Sequence, residues 1–445
     1  MDLTTMIERI NSFVWGPYML VFLVGTGVYL TIRLEFIQFS KLVPALKLLL
    51  RGRKGQGQGD ITPLQALTTA LSATIGTGNI AGVATAIFLG GPGAIFWMWI
   101  CAVFGMATKF AEAVLAVKYR RILPDGTMQG GPMLYIADGL GLKWLGWIFA
   151  LMGSVAAFGI GSMVQSNSVA VVVKDHWAIP QMVTGLVLAV LTGVVIIGGI
   201  KRIGKVTEKL VPFMGIFYVA GALTILATNI SVIPEAFFLI LKHAFHPAAG
   251  IGGFAGAGVA QAIRYGVARG VFSNEAGLGS APIAHAAAKT DDPVRQGLIA
   301  MTGVFFDTII ICTMTALVIL TTGAWKSGMT TSSLTYSAFE TGLPGVGGII
   351  VTVGLAIFAY STMIGWAYYG EECIEYILGI KARMPYRFVF CGVIAIGAFQ
   401  RVDLVWNLSD TMNGAMAIPN LIGLIGLSGV LVKETKKRIE KALLK

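Results

Sequence analysis

The residues best suited to bind a small ligand stand where a long apolar segment fails as a helix. This segment runs from Pro63 to about Leu89, and Thr74-Ile-Gly-Thr-Gly-Asn79 lies in its middle. Each glycine costs a helix interior roughly 1 kcal/mol relative to alanine, and the β-branched residues beside them are also weak helix formers. We therefore predict that one helix ends before this stretch and that a second helix begins after it.

A break of this kind offers backbone groups that bind anions and backbone groups that bind cations. The following helix presents free N–H groups, which favour an anionic group such as a carboxylate. The preceding helix ends in free carbonyl groups, from about Ser72 to Ile75, which favour a cation. The break thus suits an amino acid together with a metal ion. The alternative is a packing notch between helices, because Gly78 and Gly82 have the spacing of that motif.

A second glycine-rich interruption follows later in the chain, at Gly270-Val-Phe-Ser-Asn-Glu-Ala-Gly-Leu-Gly-Ser280. Phe272 and Ser273 open it, so we expect their carbonyl groups to hold an ammonium group and the Phe272 ring to close a pocket. For the acid Glu275 we expect an ion pair with an arginine of the bundle, and contact with a substrate is the alternative.

Polar residues in two further apolar segments complete such a site. Gly161 and Gln165 share a helix face, and the Gln165 amide requires a partner, either a substrate carboxylate or a neighbouring helix. The hydroxyls of Ser361 and Thr362 and the carbonyl of Phe358 supply three oxygen ligands of the kind that hard cations such as sodium prefer. The same residues also fit hydroxyls that bond to carbonyls of the preceding turn.

The remaining candidates are an aromatic residue and three charged ones. Trp366 lies on the same helix face as Thr362, and we expect it to form a wall of the pocket. Lys109 and Glu112 are one turn apart, and we expect them to form a local pair. Asp307 lies deep in an apolar segment and is a candidate coupling-ion or proton group. The sequence contains no catalytic constellation, no phosphate loop and no zinc spacing.

The composition defines the elements that must position these residues. The chain has 445 residues, of which 56% are hydrophobic and 12% charged, with a mean hydropathy of +0.77. Soluble domains carry about 25% charged residues, so we predict an all-α polytopic membrane protein. The net charge of +11 is explained by loops beside anionic lipid and indicates no nucleic-acid partner.

Apolar segments of about 20 residues span a bilayer, and we predict eleven of them. Their approximate limits are Phe13–Ile32, Pro63–Leu89, Gly93–Val117, Trp144–Val172, Pro180–Ile200, Thr207–Thr228, Gly256–Ala287, Gly297–Thr322, Gly345–Ile377, Tyr386–Phe399 and Val405–Leu431. The loops after odd-numbered segments and the C-terminal tail carry 25 of the 33 basic residues, and the opposite side carries 5. The positive-inside rule then predicts a plasma-membrane protein with its N-terminus outside and its C-terminus in the cytoplasm.

The two interrupted segments are five helices apart. Such a pair in corresponding halves is typical of an inverted-repeat secondary transporter with its site between the breaks. We therefore divide the chain into residues 1–60 (extra helix and basic loop), 61–230 (first five-helix repeat), 231–250 (extracellular amphipathic loop), 251–432 (second repeat) and 433–445 (cytoplasmic tail). We predict that two stretches on the outer side, Ile233–Phe245 and Ser332–Phe339, form interfacial helices. The alternative for the first is an outer lid over a permeation path.

Three motifs carry a resemblance to a known family. The stretch from Gly270 to Ala288, the stretch Ser72-Ala-Thr-Ile-Gly-Thr-Gly-Asn-Ile-Ala-Gly82 and Gly130-Gly-Pro-Met-Leu-Tyr135 resemble the alanine or glycine:cation symporter family over nearly the whole chain. The resemblance implies the leucine-transporter-type fold of two inverted five-helix repeats. It also implies sodium-coupled uptake of small neutral amino acids.

The resemblance assigns roles to individual residues. The N–H groups of Thr77 and Gly78, beside Gly76, would meet the substrate carboxylate, and Gln165 would replace a tyrosine of related proteins there. The residues implied as sodium ligands are Ser72, Ile75, Phe358, Ser361 and Thr362. A second sodium would lie at Thr74 and Asn79. The residues implied as walls of a small pocket are Ile75, Gly161, Phe272 and Trp366, with Ser273 beside them.

We therefore expect a symporter that imports alanine or glycine with sodium by alternating access. The alternatives are a proton-coupled transporter of the same fold, with Asp307 or Glu275 as the carrier, and a channel. An enzyme is excluded by the lack of a reactive constellation. The expected partners are a small neutral amino acid, sodium and the lipid bilayer.

Overall fold

The computed structural model describes residues 3–51, 55–246, 258–400 and 402–444. These residues are mostly helical, with one short antiparallel ribbon, β1 (Arg121–Ile122) and β2 (Met128–Gln129). The helices of the first half are α1 Leu3–Val14, α2 Pro17–Arg33, α3 Ile37–Ser40, α4 Leu42–Arg51, α5 Pro63–Thr74, α6 Val83–Gly90, α7 Ala94–Lys118, α8 Pro132–Leu134, α9 Lys143–Phe158, α10 Val164–Trp177, α11 Gln181–Ile196 and α12 Gly199–Thr228. Those of the second half are α13 Ile233–Phe245, α14 Val259–Asn274, α15 Ala281–Ala286, α16 Pro293–Val304, α17 Thr313–Thr321, α18 Thr331–Gly342, α19 Gly347–Leu378, α20 Arg383–Gly397, α21 Val402–Gly426 and α22 Ser428–Leu444.

Six helical stretches are long and apolar enough to cross a bilayer, judged by length and composition alone. They are Arg9–Arg33, Ala94–Lys118, Lys143–Asp175, Gly199–Thr228, Pro293–Thr321 and Gly347–Leu378. Two bent helix pairs, Pro63–Thr74 with Gly78–Gly90 and Asp410–Gly426 with Ser428–Leu443, raise the number to eight. The eleven crossings therefore stay a prediction. Residues 247–250 of the predicted outer loop and the start of the seventh segment at Gly256 lie outside the described residues.

The predicted break in the second segment is present. Helix α5 begins with a reciprocal cap, in which Thr62 Oγ1 accepts from Gln65 N at 3.2 Å and Gln65 Oε1 accepts from Thr62 N at 3.0 Å. The helix ends at Thr74, Ile75 is extended, and the axis turns by 52° into the helical stretch that begins at Gly78. The glycines and β-branched residues thus interrupt the helix as expected.

The second break lies farther along the chain than predicted. Helix α14 continues through Phe272 and Ser273 to Asn274, and the interruption occupies residues 275–280. The prediction that Phe272 and Ser273 open the break was wrong because Gly270 serves helix packing: a Cβ there would lie 3.3 Å from Met98 Cγ. Glu275 instead ends the helix, with a φ of +56°.

Four π-helical stretches interrupt the α-helices: Gly78–Gly82, Tyr135–Gly139, Gly159–Met163 and Phe305–Cys312. Three of them contain residues predicted from the sequence as candidate site residues, namely Gly78, Gly161 and Asp307. A π-helical turn leaves backbone groups out of the regular ladder and is frequent at functional sites.

The two predicted outer helices are present as α13 and α18. In α13, Ala244 accepts a hydrogen bond from Trp97 Nε1 at 3.2 Å, and Gly93 packs so closely that a Cβ would lie 2.2 Å from the His243 carbonyl oxygen. In α18, Thr335 Oγ1 donates to the Ile80 carbonyl at 3.0 Å. The second outer helix therefore contacts the first broken helix directly.

Candidate substrate and cation site

Asn79 supports the backbone of the first break. Its side-chain oxygen accepts the Gly76 N–H at 2.9 Å, and its own N–H donates to the Gly76 carbonyl at 3.3 Å. Its amide nitrogen donates to Asp307 Oδ1 at 2.7 Å. The side chain thus replaces part of the missing helix ladder and ties the break to the π-helical stretch that contains Asp307.

A cluster of five oxygen atoms joins the end of α5 to the middle of α19. Ser361 Oγ lies 2.8 Å from the Phe358 carbonyl, 3.2 Å from that of Ser72 and 3.5 Å from that of Ile75. Thr362 Oγ1 lies 3.0 Å from the Phe358 carbonyl and 3.4 Å from that of Ile75. The hydroxyls therefore bond to their own preceding turn and also face the carbonyls of the broken helix.

This cluster is neutral. All five of its residues are buried, and in the described part of the chain no group of three or more His, Cys, Asp or Glu residues is arranged to hold a metal ion. Carbonyl and hydroxyl oxygens are hard ligands that suit hard cations. The arrangement fits the ligand set that the resemblance implied for sodium.

The N–H groups after the break face Gln165. Thr77 N lies 3.4 Å from Gln165 Oε1, and Gln165 Nε2 donates to the Ile160 carbonyl at 3.0 Å. A Cβ at Gly76 would lie 2.5 Å from Thr362 Oγ1 and 3.4 Å from Gln165 Oε1, so only glycine fits between them. The structure therefore brings the cation cluster, Gln165 and the Thr77 N–H group close together around Gly76.

Glycines also set the approach of the aromatic side chains. A Cβ at Gly161 would lie 2.1 Å from Trp366 Cβ, and one at Gly78 would lie 3.2 Å from Phe272 Cδ1 and from Ser273 Cα. Ile75, Phe272 and Trp366 are all buried. The residues predicted as pocket walls thus lie near the break. Gly78 permits the close approach of Phe272, and Gly161 permits that of Trp366.

Glu275 contacts different groups from those expected. Its Oε1 accepts from Trp366 Nε1 at 2.8 Å and its Oε2 accepts from Ser280 Oγ at 2.6 Å. The expectation of an ion pair with an arginine was wrong, because an indole and a hydroxyl bind both carboxylate oxygens. Glu275 consequently fixes the orientation of Trp366.

The predicted local pair of Lys109 and Glu112 is an electrostatic interaction without a hydrogen bond between the two side chains. Glu112 Oε1 accepts from Gly277 N and Gly279 N, each at 3.1 Å, and from Asn420 Nδ2 at 2.7 Å. Among the residues that the structure describes, Lys109 Nζ and Glu112 Oε2 have no hydrogen-bond partner. Backbone N–H groups of the second break thus take the place of the lysine.

Asp307 has a structural role that sequence reasoning did not identify. Besides Asn79, it accepts from Ser273 Oγ at 2.9 Å and from Thr308 Oγ1 at 2.7 Å. It therefore connects the first break to the last turn of α14, directly before the second break. The signal in the sequence was a charged residue inside an apolar segment, but two of its three partners, Asn79 and Ser273, lie at distant positions in the chain.

The two residues of the predicted second sodium site have other contacts here. Thr74 Oγ1 donates to the carbonyls of Ala70 and Leu71, each at 3.3 Å, and the Asn79 amide oxygen accepts from Gly76 N. The second sodium remains a prediction from the resemblance alone.

Backbone contacts join two segments on the predicted cytoplasmic side. Isolated parallel bridges pair Gln56 with Thr290 and Ile61 with Ala288. Lys289 N donates to the Ile61 carbonyl at 2.7 Å, and Asp60 N donates to that of Ala287 at 2.8 Å. The Arg120 guanidinium donates hydrogen bonds of 2.6–2.9 Å to the carbonyls of Gln58, Ala286, Ala288 and Thr290. We call this arrangement the inner latch.

The fold is similar to that of solved transporters. A manganese transporter of Eremococcus coleocola, solved in complex with an aromatic bis-isothiourea compound, matches with a TM-score of 0.53 over 86% of each chain at 13% identity. A mutant of the same protein gives 0.52 over 83% of this chain and 78% of that one at 14% identity. Apolar helices, a broken helix and this fold together indicate a multi-pass membrane protein.

The chain belongs to the sodium:alanine symporter family, whose model matches residues 1–442. It is 56% identical to the sodium/alanine symporter AgcS of Methanococcus maripaludis, over 98% of this chain and 97% of that protein. It is 37% identical to the probable sodium/glutamine symporter GlnT of Bacillus subtilis, over 96% of this chain and 88% of that protein. The protein is therefore a transporter and not an enzyme.

Proposed function

We propose that the protein imports small neutral amino acids, alanine and glycine, together with sodium by alternating access. The observation that carries this proposal is the neutral cluster of five oxygens at the break between α5 and α6. The names of the relatives support alanine as a substrate and sodium as the coupling ion.

Sodium binds, in this proposal, to the carbonyls of Ser72, Ile75 and Phe358 and the hydroxyls of Ser361 and Thr362. Two of these carbonyls belong to the broken helix and the other three groups to α19. An ion between them would satisfy the backbone groups that the break frees and would hold the two helices together. Sodium binding would thereby favour the closed arrangement.

The substrate carboxylate takes, in this proposal, the position that the Gln165 amide oxygen occupies on Thr77 N, and it also accepts from Gly78 N. The substrate ammonium lies at the last-turn carbonyls of Phe272 and Ser273. The close contact of Gly161 with Trp366 supports a small pocket. A small neutral amino acid therefore fits better than a bulky or charged one.

Alternating access would act between the inner latch and the outer helices. We propose that residues 61–230 and 251–432 form the two five-helix halves that contribute one break each. Opening of the inner latch would release sodium and substrate into the cytoplasm, and movement of α13 and α18 would admit them from outside.

The test is uptake of labelled alanine into proteoliposomes. We expect accumulation when an inward sodium gradient is imposed and none with potassium in its place. A panel of unlabelled competitors should show glycine, alanine and serine above leucine or glutamate. Sodium-independent uptake, or a preference for large side chains, would contradict the proposal.

A second candidate is proton coupling through Asp307, which lies buried beside the break. Its carboxylate accepts hydrogen bonds from Asn79, Ser273 and Thr308, and such donors favour the ionised form. Burial of the same carboxyl group favours its protonated form, which is the observation that keeps Asp307 as a candidate proton carrier. Equal uptake in sodium-free buffer under an inward proton gradient would favour the second candidate.

A further inference from the structure

Lys109 is a buried cation with no hydrogen-bond partner among the described residues. Its relative exposure is 3%, and its Nζ donates to none of them. An ammonium group in a dry interior is costly unless nearby negative charge offsets its desolvation. The groups around Lys109 therefore determine what it does.

The geometry places Lys109 against the second break. Gly105, Lys109 and Glu112 share one face of α7, since they are spaced four and three residues apart. A Cβ at Gly105 would lie 3.0 Å from Ala276 Cβ, and Glu112 binds the N–H groups of Gly277 and Gly279. Lys109 lies between these two contacts and so faces the segment that begins with Glu275.

Three carboxyl groups interact electrostatically with this lysine. The titratable groups that do so are Glu112, Glu275, Asp307 and His285. Arg269 of α14 is paired with a different acid, Asp410, at 3.3 Å. Lys109 is consequently a cation that offsets the charge of the acids near the two breaks.

Two of these acids contact the candidate site or the second break. Glu275 holds the Trp366 indole, and Glu112 holds the backbone of the second break. Without a nearby cation, buried carboxyl groups take up protons rather than stay charged. A carboxyl group that gains and loses a proton as the site opens to either side would couple transport to protons.

We propose that Lys109 determines which ion drives transport: its ammonium keeps Glu112 and Glu275 ionised, so that sodium and not a proton is the coupling ion. Lys109 is thus a positioning residue for the acids, with no contact to substrate or sodium. This inference rests on the proposed sodium symport.

The test compares Lys109→Met, which removes the charge and keeps the length, with Lys109→Arg, which keeps the charge. For the wild type and Lys109→Arg we expect sodium-driven alanine uptake that varies less than twofold between pH 6 and pH 8 and no alanine-dependent acidification of the vesicle lumen. For Lys109→Met we expect uptake to change at least fivefold over that range and the lumen to acidify with alanine entry.

The matched control is Lys118→Met, the same substitution at the end of α7, where the lysine is paired with Glu434 at 2.8 Å. It should behave as the wild type. A wild-type pH profile without proton entry in Lys109→Met would overturn the inference. Loss of sodium dependence in the wild type would instead contradict the proposed function, so the two failures are distinguishable.

A second measurement does not depend on transport, so it tests the inference even if Lys109→Met is inactive. In purified Lys109→Met, infrared absorption of protonated carboxyl groups should appear near neutral pH and should decrease when Glu112→Gln or Glu275→Gln is added. The Lys109→Met spectrum must differ from that of Lys109→Arg. Identical carboxyl absorption in the two variants would overturn the inference.

Discussion

Thr362 is the residue whose hydroxyl links the two parts of the oxygen cluster. It lies 3.0 Å from the Phe358 carbonyl on its own helix and 3.4 Å from the Ile75 carbonyl across the break. For Thr362→Val we expect the sodium concentration for half-maximal uptake to rise roughly tenfold, because the loss of one oxygen ligand costs about 1–2 kcal/mol. Alanine uptake at increasing sodium concentrations measures this change.

The matched control for this prediction is Thr352→Val. Thr352 lies on the same helix and is equally buried, but its hydroxyl has no partner among the described residues. The control should leave sodium activation unchanged. Equal sodium activation in Thr362→Val and the wild type would remove Thr362 from the cation site.

We expect Gly161 to limit the size of the substrate. In Gly161→Ala the new methyl group would lie 2.1 Å from Trp366 Cβ, so Trp366 must shift. We expect the apparent affinity for serine and alanine to fall several-fold more than that for glycine, measured by competition against labelled glycine. Gly392→Ala is the control, since a Cβ there meets no atom within 4 Å. A uniform loss for all substrates would contradict the wall role.

At this scale the sequence predicts residue types better than partners. The Ser361 and Thr362 hydroxyls were identified from their chemistry, and their facing carbonyls came from the resemblance. The bond between Asn79 and Asp307 was not predicted, because 228 residues separate them in the chain. The Lys109 and Glu112 pair was predicted from spacing and is present only as an electrostatic interaction, because backbone N–H groups of the second break and Asn420 make the hydrogen bonds to Glu112.

At the scale of elements, the two breaks differ in how well the sequence locates them. The first follows directly from weak helix formers in an apolar segment. The second appeared to begin at Gly270, but this glycine permits close packing of α14 on α7 and leaves the helix intact. Gly277 and Gly279, with φ values of +92° and +83°, mark the true interruption. Glycine composition alone does not separate these two uses.

The inner latch is an element whose strength depends on one side chain. Arg120 donates to four backbone carbonyls, one at Gln58 and three between Ala286 and Thr290, and so holds together the two segments of the latch. For Arg120→Gln we expect the cytoplasmic side to open more readily and the apparent affinity for external alanine to fall about tenfold, since charged hydrogen bonds contribute about 1.5–3 kcal/mol each. Binding of labelled alanine to right-side-out vesicles measures this affinity.

Arg121→Gln provides the control for the latch. Arg121 is the next residue in the chain, but its guanidinium is paired with Asp138. This variant should bind alanine as the wild type does. An Arg120→Gln protein with unchanged affinity and unchanged exchange rates would show that backbone pairing alone closes the cytoplasmic side.

At the scale of the molecule, the predicted orientation in the membrane rests on the distribution of basic residues. Basic residues concentrate on one predicted side, which we assign to the cytoplasm. The structure gives exposed positions on both sides, Lys326 after α17 and Lys437 in α22, whereas Cys101, Cys312 and Cys373 are buried. In intact cells, a membrane-impermeant maleimide should label Lys326→Cys and leave Lys437→Cys unlabelled. After permeabilisation both should react, with the unsubstituted protein as the background. Labelling of Lys437→Cys in intact cells would invert the predicted orientation, and the inner latch would then face outside.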